Sequence, residues 1–536
     1  MGRKPLAFSF LLILFASLSL ADAPGVYALV GGTVHPVSGS EIAKGTVIIR
    51  GGLIERVGAN VTVPADATVI DANGLHVYPG LIDAQTSIGL PAPPKPQSGS
   101  PFSRRPEPSD PSRPDAVPSL VAARMFKPTD DALEGKRATG VTTVLIAPAY
   151  GIFNGQSAVV NLAGDSPQAM LVKTPATFQI SFSPKRDGTY PDSLMGVISY
   201  IRQMFLDAQQ HGSATAIYSR NPAGKARPAP NPDLEALQPV LRGEIPVVFL
   251  AESELIMRRV AEIAKEFNVR AIVSGARQSY RAADFLKTSG LPVFVSVNFP
   301  KAPTGKEERD NQPLRTIRDR VLAPTGPAEL ARRNVRFALV SNGASASDFL
   351  RGIRRTVDTG LAAPDALRAV TLWPAQILGV DRQLGSIDAG KIANVFVTDK
   401  PFHESDAKVK HLFIDGRIVR LPREEEKKDE SAAASPLDGS WNLVVRATEG
   451  DVAFQFTLKV EEGRITGTYS GDRGSGDVRD GSIEGNAFQF AITAQMSATG
   501  GETSDWRFAG TVGAEGVEGS VTTTAGTFQF SGSKPQ

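Results

Sequence analysis

The stretch YPGLIDAQTSIG, residues 78–89, carries polar side chains at alternate positions: Asp83, Gln85 and Ser87. Side chains alternate across a β-strand, so a strand here would turn all three toward the same side. A carboxylate, an amide and a hydroxyl on one face can hydrogen-bond a polar ligand. Gln85 and Ser87 carry no charge to offset a divalent cation, and the pattern therefore favours hydrogen bonding over metal binding.

Cysteine and histidine usage narrows the chemistry further. The chain has no cysteine, which excludes disulfides, thiol catalysis and thiolate zinc sites. One of its five histidines ends a predicted helix, and the others fall in or near predicted strands toward the two flanks of the main domain. We expect all five to be structural or exposed to solvent. They are His35, His76, His211, His403 and His411.

Length and composition are those of a multidomain globular protein. A chain of 536 residues is too long for one ordinary core, so two to four domains are expected. Hydrophobic residues make up 41% and charged residues 21%. The net charge of +2 and the absence of a basic stripe interleaved with aromatic residues exclude nucleic acid as a predicted partner.

The N-terminus has the three-part pattern of a secretory signal. Arg3 and Lys4 precede an apolar run from about residue 6 to residue 20, and Ser19 and Ala21 are small. The pattern predicts cleavage after Ala21, a mature chain without a transmembrane span, and a periplasmic or extracellular location. A retained N-terminal anchor is the alternative, although the apolar run is short for a span.

The central part of the chain alternates strands and helices. Strands separated by single helices pair in parallel through right-handed crossovers, and about 300 residues lie between 76 and 383. This predicts an α/β fold with a closed (β/α)8 barrel at 76–383, and a doubly wound sheet is the alternative. The predicted strands are 140–148, 246–251, 269–275, 291–297 and 335–341, and the predicted helices are 193–212, 254–267, 280–290 and 327–334.

The flanks read as β-structure and linkers. Residues 27–75 and 384–421 show short alternating strands, with a hairpin at Gly51-Gly52. Proline is too frequent in 91–118 for regular structure, which predicts a solvated loop. Residues 422–436 are charged and then small, typical of a linker. About eight alternating strands in 437–536 predict a small all-β, calycin-like barrel domain.

Four segments together resemble the amidohydrolase superfamily, and most closely its exported, imidazolonepropionase-like members. They are YPGLIDAQTS, GVTTV, the stretch LEALQPVLRGEIPVVFLAESELIMRRVAEIAKEF, and VTLWPAQILGVDRQLGSIDAGKIANVFVTDKPF. The resemblance covers about 27–421 and implies that 27–75 and 384–421 form one composite β-sandwich beside the barrel. It also implies hydrolysis of carbon–nitrogen bonds with one or two divalent metals, commonly zinc.

The residues at the positions that the resemblance assigns to metal ligands and base are not those of the family. The resemblance places histidines at Gln85 and Ser87 on the first strand, at Leu250 after the fifth and at Ser274 or Gly275 after the sixth, with an aspartate at Asn342 after the eighth. None of the five histidines falls on these positions. The sequence therefore predicts no metal or other cofactor and a degenerate pocket. The residues predicted to bind a small polar ligand there are Gln85, Ser87, Asn298 and Asn342.

The sequence also offers two weaker candidates for metal binding, an oxygen-donor site and a carboxylated lysine. Oxygen donors from Asp83, Glu252 and Asn342 would suit magnesium or calcium better than zinc. Asp83, however, is structural in the family, and we expect it to face the same side as Gln85 one layer deeper. Lys173 is the candidate for a carboxylated lysine, and an ordinary surface lysine is the competing interpretation.

Three functions remain open. The first is a noncatalytic amidohydrolase-like protein that binds or scaffolds outside the cytoplasm. The second is an active hydrolase of cyclic amides or small peptides with an atypical site. The third is a binding protein that acts through the C-terminal β-domain, with the larger part as its platform.

Overall fold

The computed structural model divides the chain into two units, the first ending at Pro422 and the second beginning at Arg423. The predicted signal segment, most of the proline-rich loop and most of the predicted linker lie outside the described residues. The structure describes residues 25–91, 117–149, 151–185, 190–303, 311–421, 435–447, 450–461, 463–495, 503–513 and 516–534.

Both ends of the first unit contribute to one eight-stranded sheet, in which β16 (Val395–Thr398) pairs antiparallel with β5 (His76–Pro79). Gly51 and Gly52 join β2 and β3 with φ of 58° and 84°, the positive values that a two-residue hairpin turn needs. The strands form one continuous hydrogen-bonded sheet instead of two separate ones. They are β1 (Tyr27–Val34), β2 (Ile42–Arg50), β3 (Leu53–Gly58), β4 (Thr68–Asp71), β5 (His76–Pro79), β16 (Val395–Thr398), β17 (Val409–Ile414) and β18 (Arg417–Ile418).

Between these flanks lie strands that pair in parallel. β6 pairs with β7, and β11 to β15 pair in sequence order. Alternate side chains of these strands, such as Ile82, Val248 and Phe294, form one buried apolar cluster. The strands are β6 (Leu81–Thr86), β7 (Val141–Ile146), β11 (Phe178–Ser181), β12 (Val247–Leu250), β13 (Ala271–Gly275), β14 (Val293–Ser296) and β15 (Phe337–Val340).

The expected uninterrupted series of parallel strands is broken after β7. Strands β8 (Phe153–Gln156) and β9 (Ala158–Asn161) are separated by Ser157 alone; β9 pairs antiparallel with β7 and β8 antiparallel with β11. A third short strand, β10 (Leu171–Lys173), pairs with β9. Because no helix intervenes between β7 and β8, the chain returns in the opposite direction, and the simple strand–helix repeat predicted here was wrong for this stretch.

Three of the four predicted helices have nearly the predicted bounds, whereas α3 (Leu194–Arg220) continues to Arg220, so that His211 lies within this helix and not at its end. Helix α6 spans Glu254–Phe267, and the Ser253 hydroxyl accepts a hydrogen bond from the Ile256 amide at its start. Its buried stripe contains Met257, Val260, Ile263 and Phe267, whereas Leu255 is exposed. The others are α1 (Ala122–Met125), α2 (Asp130–Arg137), α3 (Leu194–Arg220), α4 (Pro232–Ala236), α5 (Gln238–Leu241), α7 (Ser279–Ser289), α8 (Leu314–Leu322), α9 (Gly326–Arg332), α10 (Ala346–Asp358), α11 (Ala363–Ala369) and α12 (Leu372–Leu378). Among the described helices, none is both long and apolar enough to cross a membrane.

One buried carboxylate joins the first and last parallel strands. Asp83 on β6 is fully buried; its Oδ2 accepts from Lys136 Nζ at 2.6 Å and from Ser341 Oγ at 2.5 Å, and its Oδ1 accepts from Ser341 N at 3.0 Å. Lys136 lies on α2, and Ser341 follows β15. The expectation that Asp83 faces the same side as Gln85 was therefore wrong. The pairing of β6 with β7 shifts register between Asp83 and Thr86, which interrupts the alternation on which that expectation depended.

The second unit is a closed antiparallel barrel, as the alternating pattern predicted. Eight strands pair in a ring because β20 also pairs with β21, and a short ninth strand, β22, pairs with β21 outside it. The interior is filled by large side chains such as Trp441, Phe456 and Phe508. The strands are β19 (Gly439–Ala447), β20 (Gly450–Glu461), β21 (Arg464–Gly471), β22 (Gly474–Asp477), β23 (Arg479–Glu484), β24 (Ala487–Gln495), β25 (Thr503–Val512), β26 (Val517–Thr523) and β27 (Gly526–Ser533).

Removal of one partner of the buried pair should destabilise the first unit. We expect Asp83→Asn or Lys136→Met to lower the free energy of unfolding by about 3–5 kcal/mol, because each leaves a buried group without its partner. The double variant should lose less than the sum of the two. Urea unfolding followed by the helical circular dichroism signal measures this, since the described helices all lie in the first unit.

The matched control is the exposed pair formed by Asp165 and Arg417, with nitrogen–oxygen distances of 2.7 and 3.0 Å. Asp165→Asn should cost less than about 1 kcal/mol because water screens this pair. Equal losses for Asp83→Asn and Asp165→Asn would contradict the structural role of Asp83.

Candidate functional site

The predicted site residues lie where parallel strands end. Leu250 ends β12, Ser274 is the penultimate residue of β13, and the two are partners in the pairing of these strands. Among the other predicted positions, the backbone N–H of Asn342 donates to the backbone carbonyl oxygen of Gln85 at 3.3 Å. The carboxyl ends of parallel strands are where α/β proteins bind their ligands. The fold thus groups four of the predicted positions as two neighbouring pairs.

Burial separates these residues into two classes. Gln85 is 7% exposed and Ser274 is fully buried, whereas Leu250 and Asn342 are partly buried. Ser87 and Asn298 are exposed, and for Asn298 the structure gives a bond only from its backbone amide, to the Ser296 hydroxyl. The enclosed part of the site therefore depends on Gln85 and Ser274 more than on the two exposed residues.

Two buried polar atoms at this site have no hydrogen-bond partner among the described residues: Gln85 Oε1 and Ser274 Oγ. Burial of a polar atom without a partner costs free energy, and native proteins keep few such atoms. A free amide oxygen accepts a hydrogen bond, and a free hydroxyl either donates or accepts one. Gln85 Oε1 can therefore accept from a donor of a ligand, and Ser274 Oγ can donate to an acceptor or accept from a donor.

Gln85 is held in place by a polar network that the sequence reasoning missed. Its Nε2 donates to Gln179 Oε1 at 3.4 Å, and Gln179 Nε2 donates to the Thr177 hydroxyl at 3.0 Å. Ser157 and Thr177 share a hydrogen bond of 2.5 Å between their hydroxyls. A signal was present in TFQIS, residues 177–181, because three polar residues alternate with Phe178 and Ile180 inside a buried strand.

The backbone at Asn342 turns sharply after β15. Its φ of 45° is in the left-handed region, which asparagine adopts more readily than most residues, and Gly343 follows with φ of 84°. This turn ends the strand and lets the Asn342 amide reach the Gln85 carbonyl.

The magnesium or calcium site predicted from Asp83, Glu252 and Asn342 does not form. Asp83 is engaged by Lys136 and Ser341, and Glu252 is exposed with a 3.3 Å contact to Arg277. Within the described ranges, no three histidine, cysteine, aspartate or glutamate side chains are grouped so as to hold a metal ion.

Lys173 has an ordinary structural role in its surroundings. Its Nζ donates to the Leu378 carbonyl at 2.7 Å, and burial, followed by the charge of Arg270, lowers the pKa of its ammonium group. It is thus bound at the end of α12.

Parallel strands covered by helices, with a polar site at the strand ends, define an α/β protein of a widespread kind. Residues 326–419 match the amidohydrolase family. An amidohydrolase from Thermotoga maritima MSB8 is similar in structure, with 26% sequence identity and a TM-score of 0.63, over 74% of this chain and 100% of that chain. Both findings identify the amidohydrolase superfamily as the family that this chain resembles.

More distant structures align over the same share of the chain. A prolidase complexed with N-methylphosphonate-L-proline has 16% identity and a TM-score of 0.46, covering 74% of this chain and 100% of that one. Molinate hydrolase has 15% identity and a TM-score of 0.43, covering 74% and 95%.

Alanine substitutions at Ser274 and Ser157 distinguish a buried hydroxyl without a partner from one that is hydrogen-bonded. Ser274→Ala should change the free energy of unfolding by less than about 0.5 kcal/mol or raise it, because it removes a buried hydroxyl without a partner. Ser157→Ala should lower it by about 1–2 kcal/mol, because Thr177 then loses its bond. Urea unfolding of the two variants tests this. A larger loss for Ser274→Ala than for Ser157→Ala would show that Ser274 is bonded within the fold.

Proposed function

We propose that this protein is a noncatalytic member of the amidohydrolase superfamily that binds a small, neutral, polar molecule in the pocket of a barrel formed by its parallel strands. The observation that carries the proposal is the pair of buried atoms without partners, Gln85 Oε1 and Ser274 Oγ, at positions where the family places metal ligands. A neutral ligand with one donor and one acceptor, such as a cyclic amide, satisfies both atoms without a metal.

The donor set at the family's metal positions does not fit a divalent metal. Zinc sites use three or four His, Cys or carboxylate ligands. Here the five positions offer two hydroxyls, two neutral amides and an aliphatic side chain, from Ser87, Ser274, Gln85, Asn342 and Leu250. None supplies negative charge, and Asn342 has no carboxylate to accept a proton. We derive no catalytic step through a metal from these residues.

An active hydrolase of cyclic amides or small peptides with an atypical site is the second candidate, and resemblance to a hydrolase superfamily favours it. Action through the C-terminal barrel is a third. The interior of that barrel is packed with aromatic side chains among the described residues, which favours its outer surface for such a role. Deletion of 437–536 tests the third candidate, because pocket binding would survive it.

We also propose that the protein acts outside the cytoplasm. The support is the N-terminal sequence, in which Arg3 and Lys4 precede the apolar run, Ser19 lies near its end and Ala21 follows it. The intact mass of protein recovered from a secreting host should correspond to a chain that begins at Asp22. A mass that retains residues 12–20 contradicts export by cleavage.

Calorimetry with a cyclic amide, 2-pyrrolidinone, tests the proposed function. The metal-free protein should bind it, and Gln85→Leu should weaken binding by about ten-fold or more, because one hydrogen bond to a buried group is lost. Glu252→Gln, an exposed change near the same strand ends, serves as the matched control and should bind like the parent.

Metal analysis of the same samples separates the two main candidates. Zinc, manganese and iron should each be below about a tenth of an equivalent, since the sites that hold them use charged or imidazole ligands. Gln85→His with Ser87→His should restore weak zinc binding at most, because the other ligands are still missing. Stoichiometric metal in the parent protein, lost with EDTA together with amide hydrolysis, would establish the hydrolase instead.

A further inference from the structure

A cavity of about 460 Å³ lies away from the strand-end site. Tyr78 on β5 lines it, and β5 ends at Pro79, directly before β6 begins. The cavity therefore adjoins the amino end of β6, whereas Gln85 is near the carboxyl end of that strand. Its remaining walls come from the segment after β1, from α11 and from residues 401–403.

The walls combine apolar bodies with a few polar groups. Pro36, Val37, Leu367 and Phe402 supply apolar surface, and the volume is within the range of about 300–1,000 Å³ that small-molecule sites occupy. Val37 has φ of 71°, which is uncommon for a β-branched residue. Strained backbone of this kind is found preferentially at binding sites.

Three of the five histidines meet at this cavity, although they are far apart in sequence. His35 Nδ1 is 3.2 Å from Glu41, and His35 Nε2 is 3.1 Å from His76 Nδ1. The His35 ring also stacks on Tyr78 with 4.4 Å between centroids. Both nitrogens of His35 are thus used, and this wall is fixed in one arrangement.

Two other polar groups retain unused hydrogen-bonding capacity. His403 Nδ1 is buried and has no partner among the described residues. Arg368 donates from one nitrogen to Asp365 at 2.9 Å, and this is the only bond the structure gives for its guanidinium within the described ranges. A guanidinium has five N–H donors in a fixed plane that matches a carboxylate.

We infer that this cavity is a second binding site, independent of the strand ends, for a small carboxylate with a flat apolar body. The carboxylate is received by Arg368 and by an N–H at His403 Nδ1, and the body lies against Val37, Leu367 and Phe402. Glu41 does not exclude an anion, because its carboxylate lies beside His35 and its side chain is 58% exposed, so that water screens its charge.

Fluorine NMR of 4-fluorobenzoate with the full chain tests the inference. The parent protein should bind it saturably, and Arg368→Gln should weaken binding by about ten-fold or more, because a charge-assisted pair is lost. His403→Phe keeps the ring and removes the nitrogen, and it should weaken binding without lowering stability, since His403 Nδ1 has no bond to lose.

The matched control is Arg351→Gln. Arg351 pairs with Asp348 three residues earlier, just as Arg368 pairs with Asp365. Arg351, however, does not line this cavity. The Arg351→Gln variant should bind like the parent, and so should Gln85→Leu. Absence of saturable binding, equal loss in Arg368→Gln and Arg351→Gln, or tighter binding of 4-fluorobenzylamine than of 4-fluorobenzoate would each overturn the inference.

Discussion

The carboxylate of Asp83 is the point on which the geometry of the first unit depends. It lies on the first parallel strand, its amine partner Lys136 lies on α2, and Ser341 follows the last parallel strand. A buried carboxylate is tolerated only when its oxygens are bonded, and here three donors satisfy them. The bond to Ser341 places the chain after β15 beside β6, where the Asn342 amide then reaches the Gln85 carbonyl.

The same arrangement sets the polar character of the strand ends. Apolar packing of Ile82, Val248 and Phe294 fills the space below, and the Gln179 network holds the Gln85 amide above it. Gln85 Oε1 and Ser274 Oγ remain without partners. Hydrogen-bonding capacity of this kind selects a ligand by its donors and acceptors, whereas a divalent metal would need the negative charge that these side chains lack.

The cavity lined by His35, His76 and His403 shows how one unit can offer two chemically different sites. At the strand ends the available groups are neutral, an amide oxygen and a hydroxyl. Beside α11 they include the guanidinium of Arg368, with apolar walls around it. The two sites adjoin opposite ends of β6, so that ligands at them would be separated by the packed interior of the strands.

Much of the fold followed from local patterns in the sequence. A period of two in 437–536 predicted an all-β barrel, and the ring of eight antiparallel strands confirms it. The Gly51-Gly52 hairpin and the bounds of α6 were likewise predictable, because turn chemistry and apolar spacing act over a few residues. Four sequence segments together, among them the motif around Asp83, indicated the resemblance to the amidohydrolase superfamily.

The remaining features were decided by contacts between residues distant in sequence. The register shift after Asp83 interrupts the alternation between Asp83 and Gln85, and no local period encodes it. His35 directly follows β1, which pairs in parallel with β5, the strand that begins at His76, and the 3.1 Å contact between the two rings follows from that pairing. The sequence by itself determined which side chains are available, because residue type sets their chemistry. Only the tertiary structure decided which of them are buried and left without partners, because burial depends on strands and helices that the chain brings together from far apart.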